Sequence, residues 1–278
     1  MKIFISFDME GVAGIVDWSQ CLPSGGAAYE RGCALLLGEV NAAIDGALAG
    51  GADEIVLNDS HGTMFNLDPA SIRPPTTYLS GRQKPGYMME GLDATFDAIF
   101  FIGYHGSISG EPSTLSHTYN PEVITGVRLN GEYVGESGIN ALVAADLGVP
   151  IALVSGDSVT SAEMASVAPD CLAVVTKESR SRFSAHNLHP HTACALIEEG
   201  AASAVRAVAG GSIAPPSFDE PACLQVELAT ADMAEVASWV KGVERGGTRT
   251  VEIRGASGVE MFRSFVALTY ITRQAGGR

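Results

Sequence analysis

Five apolar segments alternating with helical segments constrain the fold of this chain more than any other feature. The apolar segments are rich in Val, Ile, Leu and Phe and lie at residues 2–7, 54–59, 98–105, 150–157 and 171–176. Helical patterns that end in or beside glycine follow the first, third and fifth of them, at residues 29–48, 135–148 and 191–211. Strands that are apolar throughout are typical of parallel sheets covered by helices on both faces. The sequence therefore predicts an α/β fold with a mostly parallel sheet.

A change of composition divides the chain near residue 212. The stretch "AGGSIAPPSFDEP" at 209–221 is rich in Gly, Pro and Ser, which is typical of a linker. Beyond it, strand patterns in "LQVELA" and "TRTVEIRG" alternate with helical patterns. We expect a large α/β domain over residues 1–212 and a smaller α+β domain over residues 213–278.

Charge and cysteine content exclude several classes of protein. A net charge of −15 opposes nucleic-acid binding, which depends on Lys and Arg. The five cysteines are scattered without a C-x-x-C pair, which argues against a disulfide framework or a zinc ribbon. The first apolar run is broken at Asp8, and no later segment approaches about 18 uncharged apolar residues. We expect no membrane partner and a cytoplasmic location.

Acids and histidines follow three of the predicted strands. Asp8 and Glu10 end the first strand in "FDMEG", His61 follows the second in "NDSHG", and His105 follows the third in "GYHG". The carboxyl ends of parallel strands share one sheet edge, where open α/β folds build their sites. Two like charges side by side favour a cation, and carboxylate and imidazole suit zinc. The predicted large domain is therefore the metal-binding, catalytic one.

Three further residues extend this set. Glu136 lies at the start of the helix in "GESGIN", His117 lies in the "SHT" loop, and Asp157 follows the fourth strand as a possible supporting group. Each has a structural alternative, since an acid can close a turn or complement a helix dipole and a loop histidine is commonly solvated. Taken together, the ligands suffice for a hydrolase with two metal ions, in which an unligated histidine moves protons.

The motifs "SFDMEG", "NDSHG", "GYHG", "SHT" and "GESGIN", in this order, resemble the zinc-dependent D-aminopeptidases of bacterial dipeptide-transport operons. The resemblance covers most of residues 1–210 and includes "SGRQKPGYMMEGLD" at 80–93. It implies two zinc ions per chain, and as their ligands Asp8, Glu10, His61, His105 and Glu136.

The same resemblance implies that His117 is the catalytic residue and that the substrates are small peptides. It also implies a ring-built homodecamer with internal active sites. The chain departs from the family pattern at Gly106, where alanine is expected, and in the "SGEPST" loop before His117. These departures bear on substrate preference.

Within the metal set, the short side chain of Asp8 at the end of the strand favours a bridging role between the two ions. The sequence reading then pairs Glu10 with His105 on one ion. It pairs His61 with Glu136 on the other.

Other functions remain open from the residues alone. "FDMEG" also looks like the first motif of exonuclease-like two-metal phosphodiesterases, although the later aspartates of that family find no match. A non-enzymatic peptide-binding protein with a structural metal is a second alternative. A Ser-His-Asp hydrolase is disfavoured because no G-x-S-x-G motif occurs.

Overall fold

The structure, a computed structural model, describes residues 1–275 and contains twelve strands and six α-helices in that range. The strands are β1 Lys2–Phe7, β2 Glu54–Asp59, β3 Thr77–Leu79, β4 Ala98–Tyr104, β5 Ile124–Leu129, β6 Glu132–Tyr133, β7 Ile151–Asp157, β8 Leu172–Ser181, β9 Ser184–Asn187, β10 Leu224–Leu228, β11 Val243–Arg245 and β12 Thr250–Ile253. The helices are α1 Ala27–Gly50, α2 Glu136–Leu147, α3 Ser158–Val167, α4 Pro190–Ala209, α5 Ala231–Ala237 and α6 Gly258–Ala275.

Seven strands form the main sheet, in the order β3-β2-β1-β4-β7-β8-β9. All neighbours are parallel except β8 and β9, which form an antiparallel pair at one edge. The predicted α/β class with a mostly parallel sheet is confirmed. Because β2 and β4 flank β1, the strand that follows β1 lies on one side of it and a later strand lies on the other side. The crevice beside such a switch point is where α/β sheets bind ligands.

Both faces of this sheet are covered. Along β1 the side chains of Ile3, Ile5 and Phe7 join one apolar cluster with α1 and α4, while Phe4 joins a second cluster with α2 and α6. This alternation is what a strand buried on both faces requires. By length and composition alone α1 would pass as a membrane span, but half of its apolar window is buried inside the protein.

Five strands form a second, antiparallel sheet, in the order β11-β12-β10-β5-β6. Its central strand β10 pairs with β5, so the sheet combines strands from the middle and the end of the chain. The predicted domain boundary between residues 212 and 213 stays a prediction, and residues 276–278 of that smaller unit lie outside the described residues. The helix α6 packs in the apolar cluster that also contains α2.

Several elements differ from the sequence reading. The strand expected at 171–176 continues as β8 to Ser181 and pairs with β9, which contains His186. Polar residues at alternate positions explain this, because the hairpin lies at the sheet edge and exposes one face. Residues 158–167 form α3, whose N-cap is Asp157. The strands β3, β5, β6 and β11 were not predicted, and all of these except β5 have only two or three residues.

Candidate metal centre and substrate pocket

The ends of β1, β2 and β4 bring the first predicted site residues together. Asp8 directly follows β1, His105 directly follows β4, and His61 lies two residues after β2. The turn after β1 is pressed against β4, where the Gly11 amide donates to the Gly103 carbonyl at 2.8 Å. A Cβ at Gly11 would lie 1.7 Å from the Tyr104 carbonyl oxygen. Only glycine therefore fits at the end of "FDMEG".

Two carboxylates face a single nitrogen of His61. Its Nδ1 lies 3.0 Å from Asp8 Oδ1 and 3.0 Å from Glu10 Oε2. All three side chains are buried. Asp8 and Glu10 therefore point to the same side, as their spacing predicted.

A second group forms around His105 and Glu136. The Nε2 atom of His105 lies 3.4 Å from Asp8 Oδ2 and 3.8 Å from Glu136 Oε1. Glu136 is the first residue of α2, where the helix dipole favours a negative charge, and its Oε1 accepts from the Tyr119 amide at 2.7 Å.

His117 stacks on His105 with ring centroids 4.3 Å apart. Its Nε2 lies 3.6 Å from Glu136 Oε1. The loop between β4 and β5 therefore delivers the predicted catalytic histidine to the same group of side chains.

The hydrogen bonds of the three imidazoles identify their free nitrogens. His61 Nε2 lies 2.8 Å from the Cys21 carbonyl, His105 Nδ1 lies 2.9 Å from the Gly106 carbonyl, and His117 Nδ1 lies 3.0 Å from the Leu115 carbonyl. A carbonyl only accepts, so each of these nitrogens carries the proton. The other nitrogen of each neutral ring then directs a lone pair towards carboxylates. This arrangement is stable only with a cation between them, and it is how proteins orient histidine ligands of metals.

Unpartnered buried atoms point to the same conclusion. Asp8 Oδ2, Glu10 Oε2 and His105 Nε2 are buried without a hydrogen-bond partner. Potential ligand atoms lie within 4.8 Å of one another in three groups: Asp8, Glu10 and His61; Asp8, His105 and Glu136; Glu10, His105 and His117. The oxygen and nitrogen donors of these groups suit zinc.

The grouping modifies the pairing inferred from the sequence. Asp8 belongs to two of the groups, in keeping with a bridging position. His61, however, lies with Glu10, and Glu136 lies with His105. The structure does not bring His61 and Glu136 together as expected. The reason is the strand order, which places β1 between β2, the strand before His61, and β4.

Without a metal, protons take the place of the cation. Burial opposes the charged form of His105, but the nearby carboxylates of Asp8 and Glu136 outweigh burial and raise the pKa of His105 to about 10. Burial raises the pKa of Glu136 to about 8. Burial and the neighbouring His105 lower the pKa of His117 to about 4, so this imidazole is neutral at physiological pH.

A buried lysine holds the loop that carries Glu10. Lys177 on β8 is 1% exposed, and its ammonium donates to the carbonyls of Glu10, Val12 (3.0 Å) and Ile15 (2.5 Å). All three donors of the ammonium are thereby used. The buried carboxylate of Glu39 accepts from the Ala13 amide of the same loop at 2.8 Å.

Lys84 supports the segment that leads to His61 in a similar way. Its ammonium donates to Asn58 Oδ1 at 2.6 Å and to the Asp59 carbonyl at 2.5 Å. The loops after β1 and β2 both contribute candidate ligands, and a buried ammonium group holds each of them in place by hydrogen bonds.

A pocket of about 450 Å³ opens above these residues. We call the predicted site residues that line it the acidic floor, which consists of Asp8, Glu10, His61, His117 and Glu136. One face of α6 forms a side that we call the α6 wall, which consists of Val266, Thr269, Tyr270 and Arg273.

Three tyrosine rings connect the acidic floor to the α6 wall. The ring of Tyr119 stacks on Tyr87 at 5.2 Å, and Tyr87 contacts Tyr270 edge-to-face at 5.9 Å. Tyr87 and Tyr119 have φ values of +48° and +60°, a region that disfavours bulky side chains. Such strain is characteristic of functional sites. The structure thus assigns these rings to the pocket lining.

The structure brings all six predicted site residues together, and their roles stay predictions. Sequence reasoning missed the pocket lining and the supporting lysines. Lys84 and Tyr87 lie within "SGRQKPGYMMEGLD", whose similarity to the family was their only signal. Lys177 and the α6 residues had none, because their contacts depend on packing between distant elements.

The structure explains two further features of the sequence, Asp157 and Gly106. Asp157 accepts from Ser113, whose Oγ in turn accepts from the Gly106 amide at 3.1 Å, so the acid supports the segment after β4 as expected. At Gly106, a Cβ would lie 2.6 Å from Val159 Cγ1 and 2.7 Å from Ser113. These neighbours explain why glycine replaces the alanine of the family pattern.

Comparisons with known proteins give matches over nearly the whole chain. The family model described as D-aminopeptidase matches residues 1–267. A D-aminopeptidase of Bacillus subtilis (strain 168) is 34% identical over 273 residues, which are 97% of this chain and 97% of that protein. The solved structure of the Zn-dependent D-aminopeptidase DppA from Bacillus subtilis, described as a self-compartmentalizing protease, superposes with a TM-score of 0.91 at 32% identity. The superposition covers 99% of this chain and 98% of that one.

Proposed function

The chain belongs to the D-aminopeptidase family, and from this premise we propose that it is a zinc-dependent aminopeptidase that releases D-amino acids from the N-termini of short peptides or aminoacyl amides. One observation carries the proposal. His61, His105 and His117 each direct a nitrogen lone pair at buried carboxylates, and such an arrangement requires bound cations. The exonuclease-like and peptide-binding alternatives gain no support from membership of a peptidase family.

We propose two zinc ions per chain. Asp8, Glu10 and His61 would hold one, and Asp8, His105 and Glu136 would hold the other. When bound, zinc polarises the peptide carbonyl and makes water a nucleophile at neutral pH.

The remaining chemistry belongs to His117. Its Nδ1 proton is donated to the Leu115 carbonyl, which leaves Nε2 unprotonated on the pocket side. Burial and the neighbouring His105 lower the pKa of His117 to about 4, so the ring is neutral at neutral pH and its Nε2 lone pair is available. We propose that Nε2 takes a proton from the attacking water and returns it to the departing amine. The edge-to-face contact with Trp18 at 5.4 Å helps to fix the ring.

The assembly and location of the protein are part of the proposal. Relative DppA is described as self-compartmentalizing, and we propose that this chain also forms a closed homo-oligomer, a decamer by family resemblance. A cytoplasmic location, and the absence of nucleic-acid and membrane partners, stay predictions. Light scattering that returned a monomer at working concentration would contradict the assembly.

One experiment tests the enzymatic proposal. Purified protein is analysed for metal and then assayed on matched D- and L-aminoacyl amides. We expect zinc at two ions per chain, hydrolysis of the D-series and loss of activity after chelation that zinc restores. Equal rates on the two series would contradict the D-preference, and full activity without metal would contradict the mechanism.

A further inference from the structure

The pocket carries one positive side chain at a distance from its acids. Among the residues that line it, Arg273 is the only Lys or Arg, whereas Asp8, Glu10, Glu122 and Glu136 are acidic. The guanidinium of Arg273 is exposed, and it forms no hydrogen bond or ion pair within the described range 1–275. In a chain with a net charge of −15, this guanidinium stands out as a place for an external anion.

The fold directs Arg273 into the pocket. Val266, Thr269, Tyr270 and Arg273 are spaced by three, one and three residues, so they share one face of α6. All four line the pocket. Arg263, in the same helix, is exposed but does not line it.

The tyrosine rings give the scale of the separation. Tyr119 donates its amide to Glu136, its ring contacts Tyr87 at 5.2 Å, and Tyr87 contacts Tyr270 at 5.9 Å. Arg273 follows Tyr270 by three residues on the helix, where side chains are about 5–6 Å apart. An extended peptide spans at most about 3.3–3.6 Å per residue. Two or three residues therefore reach about as far as the two ring-to-ring steps, and the long side chain of Arg273 has to bridge the last step.

We propose that Arg273 binds the C-terminal carboxylate of a di- or tripeptide whose N-terminal residue lies at the acidic floor. This inference rests on the proposed aminopeptidase function and narrows its substrate class to short peptides with a free carboxylate. A guanidinium pairs with a carboxylate through two parallel hydrogen bonds. The position therefore selects against C-terminally amidated peptides and against long chains.

A simpler role for Arg273 makes a different prediction. A cation in the last turn of a helix also complements the helix dipole. That role would affect the stability of α6 without distinguishing one substrate from another. Substrate discrimination is therefore the required readout.

The test compares D-alanylglycine with D-alanylglycinamide on the zinc-loaded wild type, Arg273→Gln and the matched control Arg263→Gln. We expect the wild type and Arg263→Gln to prefer the free carboxylate by about tenfold or more in kcat/KM, as expected for a charge-assisted pair. Arg273→Gln should lose this preference while keeping zinc content and turnover of the amide. Loss of both activities in equal proportion would instead indicate the helix-dipole role.

Binding is measured separately from turnover, by calorimetry with the same two peptides on His117→Ala protein. Tighter binding of the free carboxylate supports the proposal. Equal binding and equal cleavage of the two peptides would overturn the carboxylate subsite and leave the peptidase function standing. A preference that survives Arg273→Gln would overturn the assignment of the residue. If neither peptide binds or is cleaved, the proposed function fails together with the subsite.

Discussion

The acidic floor and the α6 wall border the same pocket, but the fold builds them differently. Apart from the loop residue His117, the floor consists of buried residues at strand ends and at the start of α2, fixed by carbonyl groups and buried lysines. The wall is a helix face whose outer members, Tyr270 and Arg273, are exposed. A change in the floor therefore disturbs metal binding, catalysis or folding. A change at the exposed positions of the wall acts mainly on the substrate.

The difference also separates chemistry from selectivity. Reacting groups need fixed geometry, which burial and short strand-end turns provide. Recognition of the far end of a substrate tolerates a mobile side chain in contact with solvent. The predictions below test whether effects divide between the two regions in this way.

The largest effect is expected from Asp8→Asn. Asparagine keeps the shape but removes the negative charge shared by two groups of ligand atoms, so both zinc ions should be lost and activity should fall to background. Glu136→Gln should retain about one ion, because Glu136 belongs to one group only. Metal content is measured by mass spectrometry after dialysis against a weak chelator. Loss of a single ion in both variants would show that Asp8 does not bridge.

His117→Ala should lower kcat by about 10²- to 10⁴-fold and leave zinc content unchanged. The reason is that His117 is needed as a proton carrier, while both zinc groups assigned above are complete without it. His186→Ala is the matched control, since His186 is exposed on β9 and should have wild-type activity. Loss of zinc in His117→Ala would favour the third group of ligand atoms, in which His117 joins Glu10 and His105.

The floor was predictable from the sequence because its chemistry is local. Asp8 and His61 in the floor, and His105 beside it, lie within two residues of the ends of apolar strands. Parallel strands end at one sheet edge, so topology alone brings these residues together. Glu136 and His117 needed the family resemblance, because no local rule places a loop histidine. The pairing of His61 with Glu10 required the strand order, which the sequence did not reveal.

The wall was not predictable from the sequence. The α6 pattern predicted a helix correctly, but which face borders the pocket depends on packing against α2, more than 100 residues earlier in the chain. Lys177 was hidden for the same reason, since a lysine in a strand is normally exposed. Only the fold reveals that its ammonium reaches the loop after β1.

Lys177→Met should destabilise the protein by about 3–5 kcal/mol and weaken zinc binding by about 10- to 100-fold. Methionine fills the space but leaves the buried carbonyls of Glu10 and Ile15 without a donor, while the Val12 carbonyl keeps only the Ile15 amide. The loop that carries Glu10 thereby loses its anchor. Thermal unfolding and chelator competition measure the two effects. Lys241→Met, at an exposed lysine, is the control. Wild-type zinc affinity in Lys177→Met would show that the anchor does not position the ligands.

Glu39→Gln tests how the stability of the protein depends on pH at a residue that supports the loop of Glu10. Burial raises the pKa of Glu39 to about 7, above its usual 4.5. The native state then binds more protons than the unfolded state between these values, so wild-type stability falls as pH rises from about 4.5 to 7. Glutamine cannot ionise and escapes this loss.

The variant should therefore match the wild type near pH 5 and exceed it above pH 7, by up to about 3 kcal/mol. The measurement is the difference in unfolding free energy between zinc-loaded variant and wild type at pH 5 and pH 8, since zinc-linked changes are common to both. A difference that stays constant with pH would mean that Glu39 is ionised throughout this range.

The smallest effect is expected in the wall, from Tyr270→Ala. The lost edge-to-face contact with Tyr87 is worth about 0.5–1.5 kcal/mol and lowers the stability of the folded protein by about that amount. Removal of one ring of the pocket lining should also lower kcat/KM for a short peptide by about two- to tenfold. Because Tyr270 is 44% exposed and belongs to no group of candidate ligands, zinc content should stay at the wild-type value and the unfolding temperature should fall by only about 2–4 °C. Trp239→Ala, at a more exposed aromatic outside the pocket, should change neither quantity. If Tyr270→Ala lowered kcat strongly or released zinc, the wall would be part of the catalytic machinery and the division between the two regions would not hold.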